Sequence, residues 1–460
     1  MKGFVPTPST VVDLMVRRLF ARRAPTEVST LLDPGCGDGE FIDGVLRFCA
    51  AEQLPVPRIV GIELDAGRAG RARDRFASEP KVEIRKADFL RPTSDRFDFV
   101  VGNPPYVSIL QLTTVERSAY RDQYRTARGR FDLYLLFFEQ GLRLLRPGGR
   151  LVYITPEKFA YVETAQPLRD LLSEQHVEEL YFTDEATFPD RVTYPLITTV
   201  TARTTGTSTR IRRRDGSTDR VALPRGTSWQ PAIAGYIAQP SSLHLADVTR
   251  RISCGVATGA DSVFVVPTHT LTSALSRFAF PTISGRQIDS TGAMALESSL
   301  IAPYDERGRL LPEAQLGRLG AYLREPARLR QLRARSCVAQ KPWYAFHDNL
   351  PLEDVLRPKL LCKDITDRPH FVLDRDGSIV PRHSVYYIVP ADASDLEPLA
   401  EYLNSATTRA WLRAHCQRAA NGFLRLQSHV LKRVPLPPGE FVRRPVLTDA
   451  ESLELALQSA

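Results

Sequence analysis

The chain of 460 residues has no apolar run long enough to span a bilayer, and its opening, MKGFVPTPST, lacks the apolar stretch of a secretory leader. Its six cysteines, Cys36, Cys49, Cys254, Cys337, Cys362 and Cys416, form no close C-x-x-C pair. That argues against a zinc knuckle or ribbon, and six are too sparse at this length for a disulfide framework. A reduced, cytoplasmic setting with no membrane association is expected. There is no internal repeat and no low-complexity tract. An excess of acid is also missing: 61 basic residues against 53 acidic give a net charge of +8. Residues 1–240 hold 34 basic and 30 acidic residues and the remainder 27 and 23, so each half carries +4 and the excess is not a tail. A spread basic balance suits a polyanion such as nucleic acid, but it is weak evidence alone.

The length favours two domains, and 43% apolar with 25% charged residues is ordinary for folded protein. In the first half, short apolar runs alternate with helical stretches. STLLDPGC, RIVGIELD, VEIRKADFL, FDFVVG and GRLVYITP read as strands, and LYLLFFEQGLRLL as a helix broken by Pro147, Gly148 and Gly149. That alternation predicts an α/β fold with a doubly wound, mostly parallel sheet over residues 1–225. Asp215-Gly216 looks like a hairpin turn, and 226–245 reads as a linker. Residues 246–460 lose the βαβ rhythm. DSVFVV, KLLCKDI and VYYIVP read as strands, RDG at 375–377 as a hairpin tip, and LEPLAEYLNSATTRAWLRAHC as one amphipathic helix. This predicts a mixed α+β second domain.

Chemistry is concentrated at the ends of successive predicted strands. Asp33-Pro34-Gly35-Cys36-Gly37-Asp38-Gly39 joins the first strand to a helix, and its small residues allow a sharp turn and close backbone approach to a ligand. No G-K-[ST] follows, so it is no P-loop, and a nicotinamide-type G-x-G-x-x-G is not matched. Glu63 ends the second strand, where an acid can accept from both hydroxyls of a ribose. Asp88 and Phe89 end the third. Asp88 can accept from an adenine amine and Phe89 can stack on or pack beside the ring; taken singly, they also fit a helix cap and a core aromatic. Asn103-Pro104-Pro105-Tyr106 follows the fourth strand. An aromatic amine is a poor nucleophile because its lone pair is delocalised. Two acceptors held at its hydrogens, the Asn103 side-chain oxygen and the Pro104 carbonyl, can turn the lone pair outward, and the prolines keep both acceptors fixed. Tyr106 can stack on the target ring. Such a transfer is a direct displacement governed by orientation, with no call for a metal.

The loop, the ribose acid and the third strand end together resemble the class I S-adenosylmethionine methyltransferases, whose fold is Rossmann-like. That family's amino-methylating members usually carry Ala where this chain has Gly35. The NPPY motif, the preceding FVPTPSTVVDLMVRRL with Thr7 and Pro8, and residues 131–159 resemble more narrowly the gamma-class (TaqI-like, Eco57I-like) N6-adenine DNA methyltransferases of restriction–modification systems. The resemblance is continuous over about residues 4–200. It implies S-adenosylmethionine as cofactor, surrounded by Thr7, Asp33, Gly35, Cys36, Gly37, Glu63, Asp88, Phe89 and Asn103, with Asn103, Pro104 and Tyr106 as catalytic residues. It implies that Phe188-Pro189 supplies the aromatic on the second face of a flipped adenine, opposite Tyr106; Phe188 also fits an ordinary core residue. A stacked base is out of reach of such a site, so base flipping is implied.

Arg117, Arg121, Arg125, Arg128 and Arg130 follow the motif and could close over DNA, or form a solvated face. Segments 252–266, LRPKLLCKDITDRPHFVLD and NGFLRLQSHVLKRVPLP resemble, less strongly, the same family's target-recognition domains, which implies double-stranded DNA as the partner. The resemblance further implies a separately acting restriction endonuclease and a monomeric enzyme. Two other readings stay open: an NPPY enzyme acting on RNA or on a protein glutamine, and a non-catalytic DNA-binding specificity protein. A fused nuclease is not expected, since its motif normally sits on an extra N-terminal domain and the methyltransferase resemblance begins within a few residues of the first one given.

Overall fold

The computed structural model describes residues 5–184, 187–188, 194–204, 206, 208–236, 241–289, 291–419, 422–437 and 439–442. The chain divides into two compact units, 1–237 and 238–460. Among the described residues no helix is long and apolar enough to cross a membrane.

The first unit is built on α1 (Ser9–Phe20), β1 (Thr30–Pro34), α2 (Glu40–Ala51), β2 (Arg58–Glu63), α3 (Ala66–Arg75), β3 (Val82–Lys86), β4 (Phe97–Gly102), α4 (Thr114–Gln123), α5 (Leu133–Leu144), β5 (Leu145–Pro156), α6 (Gln166–Ser173), β6 (His176–Phe182), β7 (Pro195–Thr201), β8 (Thr209–Arg212), β9 (Thr218–Val221) and the short α7 (Gln230–Ile233). One nine-stranded sheet runs in the order β3-β2-β1-β4-β5-β7-β6-β8-β9. The first five strands are parallel to their neighbours, and β7 pairs antiparallel with both β5 and β6. The α/β, doubly wound sheet expected from the sequence is therefore what forms.

Alternation along the strands explains why helices cover both faces. Leu31, Phe99, Val101, Val152 and Ile154 join an apolar cluster with Val12, Met15, Val16 and Leu19 of α1 and Phe41, Ile42 and Val45 of α2. Leu32, Val100, Leu151 and Tyr153 point to the other face, against Leu135, Leu136 and Phe138 of α5 and Leu168 and Leu172 of α6. Buried positions three and four apart along α1 make its core-facing stripe. The strand order reverses between β1 and β4, which opens a crevice beyond their carboxyl ends, where open α/β sheets bind ligands.

Local departures from the sequence reading have physical causes. The helix ends just ahead of Pro147, Gly148 and Gly149, as read, but the strand that follows starts earlier than its pattern showed. α5 stops at Leu144, and the three residues lie in the start of β5, with Gly148 at φ +72° and a register break opposite Phe97/Phe99. The boundary between the two units, 237/238, falls within the stretch read as a linker, yet Trp229 of that stretch is fully buried in the first unit's core and His244 bridges Pro435 within the second unit.

The second unit holds two four-stranded sheets and one three-stranded sheet with short helices between them, a mixed α and β build. In DSVFVV only Val265–Pro267 is strand, after a helical turn, Asp261–Phe264. RDG is not a hairpin tip, because the strands on either side of it, Val372–Asp374 and Val380–Pro381, belong to different sheets. The single helix expected over LEPLAEYLNSATTRAWLRAHC is two, Leu396–Leu403 and Ala406–His415. Asn404 is drawn off the axis by exchanging hydrogen bonds with the Phe371 backbone, and the Ser405 hydroxyl caps a new start by accepting from Thr408 N–H.

Candidate functional site

The loop after β1 is folded back on β2. The Gly35 and Cys36 N–H groups both donate to the Ile62 carbonyl, at 2.7 and 3.0 Å. Gly35, Gly37 and Gly39 all have positive φ (+78°, +59° and +93°), which a side chain would strain. Glu63 at the end of β2 is buried, and its carboxylate organises the loop. Oε2 accepts from Gly37 N–H at 3.0 Å, while Oε1 accepts from Asp65 N–H at 2.7 Å and from the Arg68 guanidinium at 3.0 Å. Asp65 in turn caps α3 by accepting from Arg68 N–H.

Asp33 lies beneath this loop. It is 1% exposed, and neither carboxylate oxygen has a hydrogen-bond partner among the described residues. Burial, and secondarily the Glu63 carboxylate, hold its carboxyl well above the usual range. Directly over it is Gly102, the residue before the NPPY motif: a Cβ there would lie 3.2 Å from Asp33 Oδ1. Asp33 and Gly37 do not themselves line the cleft that the strand ends enclose; Thr7, Gly35, Cys36, Glu63, Asp88, Phe89 and Asn103 do.

At the far end of that cleft the Asp88 side chain accepts from Leu90 N–H at 3.0 Å. Phe89 is 4% exposed and packs on Phe137 with centroids 4.9 Å apart. Leu64, half-exposed beside Glu63, gives the cleft an apolar wall, and Gln111, Glu116 and Tyr120 line it with more polar side chains. Burial, with Asp88 and Glu116 nearby, pushes the Tyr120 phenol up to about 12. Sequence reasoning missed Leu64, Arg68 and the wall from α4. Leu64 was legible as an apolar neighbour of Glu63; the others come into place only through the fold.

Asn103 is half-buried at the end of β4. Its Nδ2 donates to the Val5 carbonyl and to Thr7 Oγ1, both at 3.1 Å. Those two bonds orient the amide and leave Oδ1 buried with no hydrogen-bond partner among the described residues. Pro104 is buried, and Val107 N–H donates to the Pro105 carbonyl at 3.2 Å, which tightens the turn. Tyr106 is half-buried, its hydroxyl 3.4 Å from the Ile154 carbonyl and its ring edge-on to Tyr134; burial raises its phenol. Phe188 is 4% exposed in the apolar cluster that holds Val101, Ile154 and Ile197, and it does not line the cleft. Its partner in the expected element, Pro189, lies outside the described residues, as does Phe4.

An acid positioned for hydroxyls, a second acceptor, and apolar walls fit an adenosine, and the loop's close backbone approach fits the chain attached to it. The unsatisfied acceptor of Asn103, a residue that lines the cleft, fits the N–H donor of a ligand.

Residues 68–188 match the Eco57I restriction-modification methylase family. The chain is 29% identical to Type II methyltransferase M.PaeR7I of Pseudomonas aeruginosa, over 97% of this chain and 87% of that protein. It is 30% identical to Type II methyltransferase M.XhoI of Xanthomonas vasicola, over 78% of this chain and 72% of that protein. Type II methyltransferase M.BstVI of Geobacillus stearothermophilus is 26% identical, over 95% of this chain and 90% of that protein. Among solved structures, the type IIG restriction endonuclease BpuSI aligns over 99% of this chain and 61% of its own, at 12% identity and a TM-score of 0.47.

Proposed function

The chain belongs to the family of Type II restriction–modification DNA methyltransferases, and on that premise we propose that it methylates the exocyclic N6 amine of an adenine turned out of duplex DNA. Its methyl donor is S-adenosylmethionine, which when bound supplies a sulfonium methyl group open to direct displacement. The observation that most supports an exocyclic amine as the target is the buried Asn103 Oδ1, without a hydrogen-bond partner among the described residues and fixed by the Val5 and Thr7 acceptors on the other end of the same amide; the choice of adenine rests on the likeness to the gamma-class enzymes.

In this reading Asn103 Oδ1 and the Pro104 carbonyl each accept one N–H of the target amine. The nitrogen lone pair then leaves the ring plane and faces the methyl group. Because both acceptors are already placed, little reorganisation is needed as charge develops. Tyr106 stacks on the extruded ring. Phe188 is given the second face, a role that requires it to leave its apolar cluster when DNA binds. Glu63 takes the ribose hydroxyls and Asp88 the adenine amine of the cofactor, with Leu64 and Phe89 against its ring. Gly35, Cys36 and Gly37 bring backbone close to the methionine portion, Thr7 closes that end, and Asp33 acts from beneath the loop.

Residues 238–460 are assigned to target recognition, and the biological role to protecting a short site from a separate endonuclease. The enzyme is assigned to act as a monomer. The test is transfer of isotopically labelled methyl from S-adenosylmethionine to unmethylated genomic DNA, followed by digestion to nucleosides and mass spectrometry. Label in N6-methyladenine is expected. Label on cytosine, or on RNA or protein in place of DNA, would refute the assignment.

A further inference from the structure

Among the described residues only seven large apolar side chains are exposed, and three of them, Leu64, Leu110 and Val115, stand on the cleft or on the segment that walls it. Leu64 has an evident use against the cofactor ring. Leu110 and Val115 have none in the cofactor cleft, yet they are 71% and 79% exposed. The segment that carries them is held firmly. Ile109 N–H donates to the Phe131 carbonyl, Ser108 bridges Asp132, and Val107, Ile109 and Leu112 are buried beneath. A 3-10 turn over Ile109–Gln111, with Ile109 and Leu112 buried at its two ends, then turns Leu110 outward. Thr113 and Glu116 form a reciprocal capping box that fixes the start of α4, so Val115 projects from its first turn. The Leu110 carbonyl also accepts from Arg117 at 3.5 Å, tying the turn to the helix. Gln111, Leu112, Glu116 and Tyr120 of the same segment face the cleft, which places the two apolar side chains on its rim.

Exposed apolar side chains on a braced turn, four residues after Tyr106, carry a cost in water with no return inside the protein. The same segment bears Arg121, Arg125, Arg128 and Arg130, all exposed, so its surroundings suit a polyanion and not an apolar protein face. We propose that Leu110, supported by Val115, is a wedge that enters the DNA base stack at the gap left by the extruded adenine. Proteins that unstack DNA use apolar side chains in this way, offsetting the lost stacking. Leu110 is thus a positioning residue: it holds the duplex open and touches neither the cofactor nor the reacting amine. The inference rests on the reading that duplex adenine is extruded.

The test compares the wild type with Leu110→Ala and with Leu110→Ala/Val115→Ala on two duplexes bearing the recognition site. One has the target adenine paired; the other has it opposite an abasic site and already unpaired. A third duplex carries fluorescent 2-aminopurine at the target to report extrusion. On the paired duplex the variants should lose about 10- to 100-fold in single-turnover rate, as expected for losing part of a few-kcal/mol unstacking compensation. On the unpaired duplex most of that loss should vanish, and the 2-aminopurine signal seen with the wild type should be reduced. Cofactor affinity should be unchanged, which reports an intact fold. Equal loss on both duplexes, or no loss and a full 2-aminopurine signal, would overturn the wedge while leaving extrusion intact. No signal and no benefit from unpairing in the wild type would overturn the extrusion reading itself.

Discussion

Two acceptor groups at the site, Asn103 Oδ1 and the Asp33 carboxylate, have no hydrogen-bond partner among the described residues, and they differ in kind. Asn103 Oδ1 is neutral and belongs to a residue that lines the cleft, where a ligand N–H can satisfy it. Asp33 is sealed under the loop and carries a carboxyl that burial drives toward its neutral form. This second case has a measurable consequence. The native chain keeps the Asp33 proton after the unfolded chain has released it, so stability falls as pH rises from the ordinary carboxylate value of about 3.9 toward the raised native value, then levels off. Asp33→Asn removes the penalty. Its gain over the wild type in urea unfolding of the cofactor-free protein should be larger at pH 8 than at pH 4; a gain independent of pH would contradict this. The sequence made Asn103, Glu63 and Asp88 legible because each ends a strand in a recognisable order. It could not show that Asn103 is oriented by Val5 and Thr7, 98 and 96 residues away, since only the fold brings those acceptors together.

Elements were easiest to read where burial is two-sided or strictly periodic. β4, fully buried along FDFVVG, and α5, buried along nearly its whole length, are such cases. The reading failed where a tertiary hydrogen bond overrode local pattern, as at Asn404, and it placed the start of β5 too late, because Pro147, Gly148 and Gly149 are taken into the strand. α4 shows another limit: it buries no residue fully, so its amphipathic signal did not mark it as a wall of the cleft. The turn from β1 into α2 carries the sharpest element-level prediction. A Cβ at Gly39 would sit 2.3 Å from Phe76 Cε2 on a backbone at φ +93°. Gly39→Ala should therefore cost about 1–3 kcal/mol in backbone strain alone and weaken S-adenosylmethionine binding by displacing the loop. Thermal unfolding and calorimetry would check it, and wild-type values in both would refute the packing described.

At the scale of the molecule, the division into two units was foreshadowed by the loss of βαβ rhythm after the first, but the second unit's internal topology was not. Its short strands are distributed over three sheets, an arrangement that local periodicity does not encode. The positive charge, shared by both halves, predicts that DNA affinity is strongly salt-dependent. If six or more phosphates are neutralised, affinity should fall about a thousandfold or more between 50 and 200 mM salt. Cofactor affinity, which depends on the enclosed first-unit cleft, should scarcely change. A flat salt response for DNA would mean that the basic surface is not its docking site.

The claim on which the account depends is that the Asn103 amide is the acceptor awaiting the target amine. It is tested most directly by single-turnover methyl transfer to duplex DNA by Asn103→Ala, with S-adenosylmethionine affinity measured on the same preparation and Thr7→Val run beside it. Loss of one preorganised acceptor should lower the rate by about 100- to 1,000-fold while cofactor affinity stays close to wild type. Thr7→Val, which removes one of the two acceptors that orient the amide while keeping the side chain's bulk at the cofactor, should give a rate between those of Asn103→Ala and the wild type. Wild-type transfer by Asn103→Ala would contradict the mechanism.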